Sequence, residues 1–222
     1  MKPISEQNNF IYLLAALVFF LLLGAIVEQL HLRFGQRLVQ SSTVVMIAIG
    51  VWSFRATKRR YWTGLGLLAA IIVVVIIGMV LESAGLNYIH LLLVLAFFIW
   101  ATWLAARQVL FTGTIDIHKI VGAVCIYLLL GLIWALMYLL IAEAAPDAFN
   151  GLQQAPWYDN FSQLSYYSFV TLTTLGYGDI SPVSPIAQFL AYMEAIVGIF
   201  YTTILVASLI GARMSDRKVQ DR

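Results

Sequence analysis

Apolar residues come in long unbroken runs, and polar residues are confined to the short gaps between them. Such runs show neither the alternation of a half-buried strand nor the one-sided stripe of a surface helix. A helix needs about 20 apolar residues to cross the roughly 30 Å of bilayer hydrocarbon. Six stretches approach that size: Phe10 to Val27, Leu38 to Phe54, Trp62 to Leu81, Leu86 to Ala106, Ile120 to Ile141 and Ile186 to Ile210. The second opens on Gln40, Ser41, Ser42 and Thr43, so a half-span or an interfacial start would read the same way. The pattern predicts an all-α membrane protein of six transmembrane helices. The first run is longer than a signal-peptide core and passes into Glu28, Gln29 and His31 without a small-residue cleavage pattern, which reads as a retained span.

The gap between the fifth and sixth runs, Ala142 to Pro185, is of a different kind. "NGLQQAP" reads as a surface turn, whereas "NFSQLSYYSFVTLT" is aromatic and apolar enough to re-enter the membrane. Asn160 and Gln163 have the spacing of a capping box, which predicts a short helix from Phe161 to Leu172, too short to cross. Asn160-Phe161-Ser162 also fits a glycosylation sequon, and the capping role is preferred for Asn160. After the turn back, "TLGYGDI" must be extended. Non-helical backbone at that depth is tolerated only when it is buried in protein or lines a water-filled path. If all carbonyls of such a strand are to point to one side, alternate residues need left-handed dihedrals, and Gly176 and Gly178 adopt them without steric penalty.

Composition and charge sharpen the picture. Of 222 residues, 62% are hydrophobic and 11% charged, well beyond an ordinary globular domain. Placing the N-terminus inside puts Lys2, Arg55, Lys58, Arg59, Arg60, Arg107, Lys119, Arg213, Arg217, Lys218 and Arg222 in the cytoplasm, leaving only Arg33 and Arg37 outside. The outer side then holds Glu28, Glu82, Glu143, Asp147, Asp159 and Asp179, and both termini are cytoplasmic in a multi-pass protein of the cell membrane. A net charge of +2, with the basic residues in short juxtamembrane clusters, argues against a nucleic-acid partner. The single cysteine, Cys125, supports neither a disulfide framework nor a cysteine metal site. No Ser/His pair, no His/Glu metal spacing and no phosphate loop in context points to an enzyme.

Thr174-Leu175-Gly176-Tyr177-Gly178-Asp179 resembles the selectivity filter of the potassium channel family. The resemblance extends from about Ile120 to Gly211, because the order outer helix, short re-entrant helix, filter, inner helix accompanies the motif. It implies that the carbonyls of Thr174, Leu175, Gly176 and Tyr177 bind K+, that the Thr174 hydroxyl closes the innermost site, and that Gly178 completes the filter. Tyr166 and Tyr167 match the aromatic pair that braces the filter, where tryptophan is usual. Val170 stands where some relatives have a glutamate paired with the aspartate after the filter, here Asp179, so that carboxylate pair is missing. Leu175 replaces the commoner valine and is expected to alter packing rather than ion chemistry. One filter per chain implies a homotetramer around one axis, with pore helices aiming the negative ends of their dipoles at the central cavity.

Gly198 falls where relatives have a hinge glycine, with close packing an equal alternative. Thr202 and Val206 follow at four-residue spacing, and with Glu194 these residues form the expected cavity and gate set. Glu194 is an ionisable residue inside a span and so a functional candidate; a carboxyl tying the inner helix to the pore helix is preferred to a proton sensor. The fourth run carries no arginine ladder, only Arg107 at its inner end, so the first four spans (1–106) read as a peripheral collar rather than a voltage sensor. The division continues with an interfacial cytoplasmic linker (107–119), a pore domain (120–211) and a short cytoplasmic tail (212–222). That tail is too short for a ligand-binding domain, so control is expected from the lipid bilayer or a separate regulatory subunit. No cofactor is expected beyond the permeant K+ ions. The competing readings are a weakly selective cation channel and a non-conducting membrane scaffold or sensor with a vestigial filter.

Overall fold

A computed structural model describes residues 9–30, 35–54, 58–81, 84–110, 117–153, 155 and 157–220. Lys2, His31, Arg33, Arg55, Glu82, Arg222 and residues 111–116 of the expected linker lie outside the described residues. The chain is nearly all helix: α1 (Asn9–Gln29), α2 (Gly35–Ser53), α3 (Lys58–Leu81), α4 (Ala84–Leu110), α5 (Ile117–Ala144), α6 (Trp157–Leu172) and α7 (Pro185–Gln220). Among the described residues, five helices are long and apolar enough to cross a membrane, within α1, α3, α4, α5 and α7. The expected second span forms as α2, but its apolar stretch, Arg37–Ser53, is shorter than the others. The polar opening seen in its sequence has local uses: Ser42 and Thr43 both donate to the carbonyl of Val39, each at 2.8 Å.

Helix association in lipid depends on close packing rather than on escape from water, and the packing here is organised around α5. It lies against α1, α4, α6 and α7. The collar helices are joined by an aromatic chain: Phe10 of α1 meets Phe54 beyond α2 at 6.5 Å, and Phe54 meets Trp100 of α4 at 6.1 Å. α1 also reaches α6, where Phe20 packs on Phe161 at 5.0 Å. The collar and the re-entrant helix therefore share one hydrophobic core. α3 packs on α2 and α4, and few of its residues are buried.

Between α5 and α7 the chain makes two short strands that the apolar pattern did not announce, β1 (Phe149–Asn150) and β2 (Ser181–Pro182). They pair antiparallel, Phe149 opposite Pro182 and Asn150 opposite Ser181. The Val183 N–H also donates to the Ala148 carbonyl at 2.8 Å. This clasp closes the base of the loop that carries α6 and the filter strand. Gly151, at φ +80°, is required in it: a Cβ there would overlap the carbonyl oxygen of Asp179.

Candidate functional site

At 1.5 Å per residue, the 16 residues of α6 make a helix about 24 Å long, too short to span and return as a crossing. It begins at Trp157, a turn earlier than expected from the sequence, with Asp159 in the first turn where a carboxylate opposes the positive end of the dipole. This corrects the expected capping box. Asn160 lies inside the helix, 5% exposed, and its Nδ2 donates to the Ala155 carbonyl at 2.9 Å. The same burial places the sequon asparagine out of reach of a glycan.

At its other end α6 hands its free carbonyls to the filter strand. Helix C-termini leave carbonyls without intrahelical donors, and here Thr174 N–H donates to Thr171 O at 2.9 Å. Val170 O accepts from both Leu175 N–H, at 2.9 Å, and Gly176 N–H, at 3.3 Å. Val170 thus serves the filter through its backbone. From there the strand has left-handed dihedrals at every second residue: Thr174 at φ +60°, Gly176 at +61° and Gly178 at +81°. The two glycines are at positions where the sequence called for them. Thr174 was not anticipated; an L-residue pays roughly 1–2 kcal/mol for that conformation. A Cβ on Gly176 or Gly178 would meet no atom within 4 Å, so dihedral strain rather than crowding makes glycine the suitable residue.

The two tyrosines expected to brace the filter divide the task. Tyr166 faces the strand, its ring stacked on Tyr177 at 6.4 Å and 9° between planes. Its hydroxyl lies close to the Asp179 carboxylate, which accepts from the Ile180 N–H at 3.0 Å. Tyr167 points the other way, into the subunit, edge-on to Tyr138 of α5 at 4.9 Å and to Phe149 of β1 at 5.7 Å. Leu175 and Tyr177 remain 56% and 68% exposed in the single chain.

The comparisons with known proteins converge on this part of the chain. Residues 122–214 match the family model described as Ion channel. Over 90 residues the chain is 31% identical to the inward rectifier potassium channel Kirbac3.1 of Paramagnetospirillum magnetotacticum, covering 40% of this chain and 28% of that protein's length. No solved structure matches the chain at a significant level. Residues 122–214 are thus similar to ion channels, among them a potassium channel. The matched model is described as one of ion channels.

Within this channel region, α7 divides the four inner-helix residues into two pairs. Glu194 and Gly198 are buried against the neighbouring helices, whereas Thr202 and Val206 are exposed. Tyr138 of α5 donates to Glu194 Oε2 at 2.6 Å, and Glu194 Oε1 lies 2.5 Å from Ser168 Oγ of α6. Gly198 packs on the last turn of α6, where a Cβ would overlap the Leu172 carbonyl oxygen. The Thr202 hydroxyl donates back to the Gly198 carbonyl at 3.0 Å. Sequence reasoning did not single out Ser168, Tyr138 or Tyr201. Tyr201 joins α7 to α5 by donating to the Ala123 carbonyl at 2.6 Å and stacking on Tyr127 at 5.6 Å. A tyrosine inside an apolar run was the available signal, because its hydroxyl needs a partner in lipid.

Proposed function

We propose that the chain is one subunit of a potassium-selective channel that conducts K+ passively through a filter shared by four copies. The observation that carries this reading is the alternation of left-handed dihedrals at Thr174, Gly176 and Gly178. An alternation of that kind turns successive carbonyls toward one axis, where those of Thr174, Leu175, Gly176 and Tyr177 replace the water shell of K+. The Thr174 hydroxyl closes the innermost site. Gly178, tied to its surroundings through Asp179 and Tyr166, forms the outer mouth.

Four-fold assembly is supported by what one chain leaves uncovered. The filter strand from Thr173 to Asp179 is exposed, as are Ile186, Phe189, Tyr192, Ile196, Ile199 and Phe200 along α7. One strand cannot surround an ion. In the tetramer the α6 helices direct their C-terminal dipoles toward the cavity below the filter, and Thr202 and Val206 line its lower wall. Residues 120–211 act as the pore domain, 1–106 as the collar, 107–119 as the linker and 212–222 as the cytoplasmic tail. The distribution of basic residues supports a cell-membrane subunit with both termini cytoplasmic.

The channel lacks an intrinsic voltage sensor. α4 contains one arginine, Arg107, in its last turns, where the guanidinium lies over the Trp103 ring at 5.2 Å. The test is K+ flux into liposomes reconstituted with the purified protein, followed by the reversal potential between K+ and Na+. Flux with a strong K+ preference is the expected result. Equal permeation of both ions favours the weakly selective cation channel, and no flux favours the non-conducting scaffold or sensor.

A further inference from the structure

The oxygen atoms around Glu194 require more hydrogens than a carboxylate can bring. The side chain is fully buried. Its Oε2 accepts from Tyr138 at 2.6 Å, and its Oε1 is 2.5 Å from Ser168 Oγ. Ser168 Oγ is in turn 2.7 Å from the Gly131 carbonyl oxygen on α5. A serine hydroxyl has one hydrogen, and a carbonyl has none. If that hydrogen pointed at Glu194, Ser168 Oγ and Gly131 O would meet lone pair to lone pair at hydrogen-bond distance. It therefore points at Gly131, and the hydrogen between Ser168 and Oε1 comes from Glu194.

We propose that Glu194 is held as the neutral acid and is a positioning residue for the filter, donating to Ser168 while accepting from Tyr138. The relay runs from the Glu194 carboxyl through the Ser168 hydroxyl to the Gly131 carbonyl, joining α7, α6 and α5 in one chain of hydrogen bonds. The groups facing the carboxyl are the phenols Tyr127 and Tyr138 of α5 and Tyr167 of α6. Neither of its hydrogen-bond partners is cationic, and an unpaired carboxylate is expensive at this depth.

The position of Ser168 bears directly on the filter. It is flanked by Phe169, whose ring fills the space left by the missing side chain of Gly131. Two residues on, the Val170 carbonyl holds the N–H groups of Leu175 and Gly176. A shift of Ser168 thus displaces the anchor of the strand. A carboxyl from α7 thus reaches the helix that holds the strand in place.

The filter part of this inference rests on the channel reading; the protonation part does not. Infrared difference spectra of the purified protein, wild type minus Glu194→Gln, test the proton directly. A protonated-carboxyl band lost in the variant is expected, and a carboxylate band in its place overturns the proposal. Glutamine can still donate to Ser168 and accept from Tyr138. Glu194→Gln should therefore keep the K+ preference over Na+, unchanged from acidic to mildly alkaline pH, whereas Glu194→Val and Ser168→Ala should lose it. Ser168→Ala removes only a hydroxyl and serves if the valine variant fails to assemble. If glutamine loses selectivity as valine does, or Ser168→Ala keeps it, Glu194 does not position the filter. A wild type without flux defeats the channel reading, while the infrared band still decides whether Glu194 is the acid.

Discussion

Gly198 of the inner helix lies directly against the Leu172 carbonyl at the end of the pore helix, with no room for a Cβ between them. The helix runs unbroken through this residue, from Pro185 to Gln220. Its glycine is used for close approach of two backbones, in the manner of small residues at membrane helix contacts.

Gly198→Ala should therefore lower the stability of the assembled protein. Adding one carbon to a filled contact costs about 1–3 kcal/mol per subunit, and the neighbouring atom here is backbone that cannot rotate away. Thermal unfolding in detergent measures it. Unchanged stability accompanied by altered opening would assign Gly198 to a hinge instead.

Tyr166→Phe keeps the ring stacked on Tyr177 and removes the hydroxyl that lies beside the Asp179 carboxylate. We expect K+ preference to survive in short recordings and conduction to be less sustained, as the outer mouth loses one tether. Asp179→Ala, which removes the acceptor, should have a similar effect, and the double variant should be little worse than either alone, since both remove the same contact. Fully additive losses would mean that the two side chains act separately.

Gly178→Asp should abolish K+ preference while leaving the tetramer intact. The residue sits at φ +81°, a conformation that L-residues avoid, and a carboxylate is added at the mouth. Within its own chain a Cβ there meets no atom within 4 Å, so the fold of the subunit is spared. The reversal potential between K+ and Na+ checks the first part, and the oligomer mass checks the second.

Opening should show little intrinsic voltage dependence. Moving one elementary charge through 100 mV supplies about 2.3 kcal/mol, and α4 offers only Arg107 at its end, held over Trp103. Steady-state conductance against voltage, recorded without blocking ions or partner proteins, should be shallow. A steep activation curve would contradict this.

Much of the architecture was legible because a bilayer imposes a length on any helix that crosses it. The apolar runs therefore gave the positions of α1, α3, α4 and α5 to within a few residues, and the start of α7, which continues as helix ten residues past the expected Ile210. The backbone of the strand after α6 was legible for another reason: Gly176 and Gly178 repeat a conformation open to glycine, and both have it. The start of α6 was misread because Asn160 is a good N-cap by type, yet the helix extends to Trp157 and uses its amide to reach Ala155. Residue type alone does not say which turn comes first.

What only tertiary structure decided concerns residues whose meaning depends on a partner far along the chain. Tyr166 and Tyr167 are adjacent and identical, but successive helix positions point about 100° apart, so one meets Tyr177 and the other meets Tyr138. Glu194 and Ser168 are 26 residues apart, and nothing in either stretch reveals that α5 brings Gly131 and Tyr138 to the same place. Hydropathy specifies which segments enter the membrane, since that depends on each segment alone. Which hydroxyl shares its one hydrogen with which carbonyl depends on how three helices pack, and that was settled only by the folded chain.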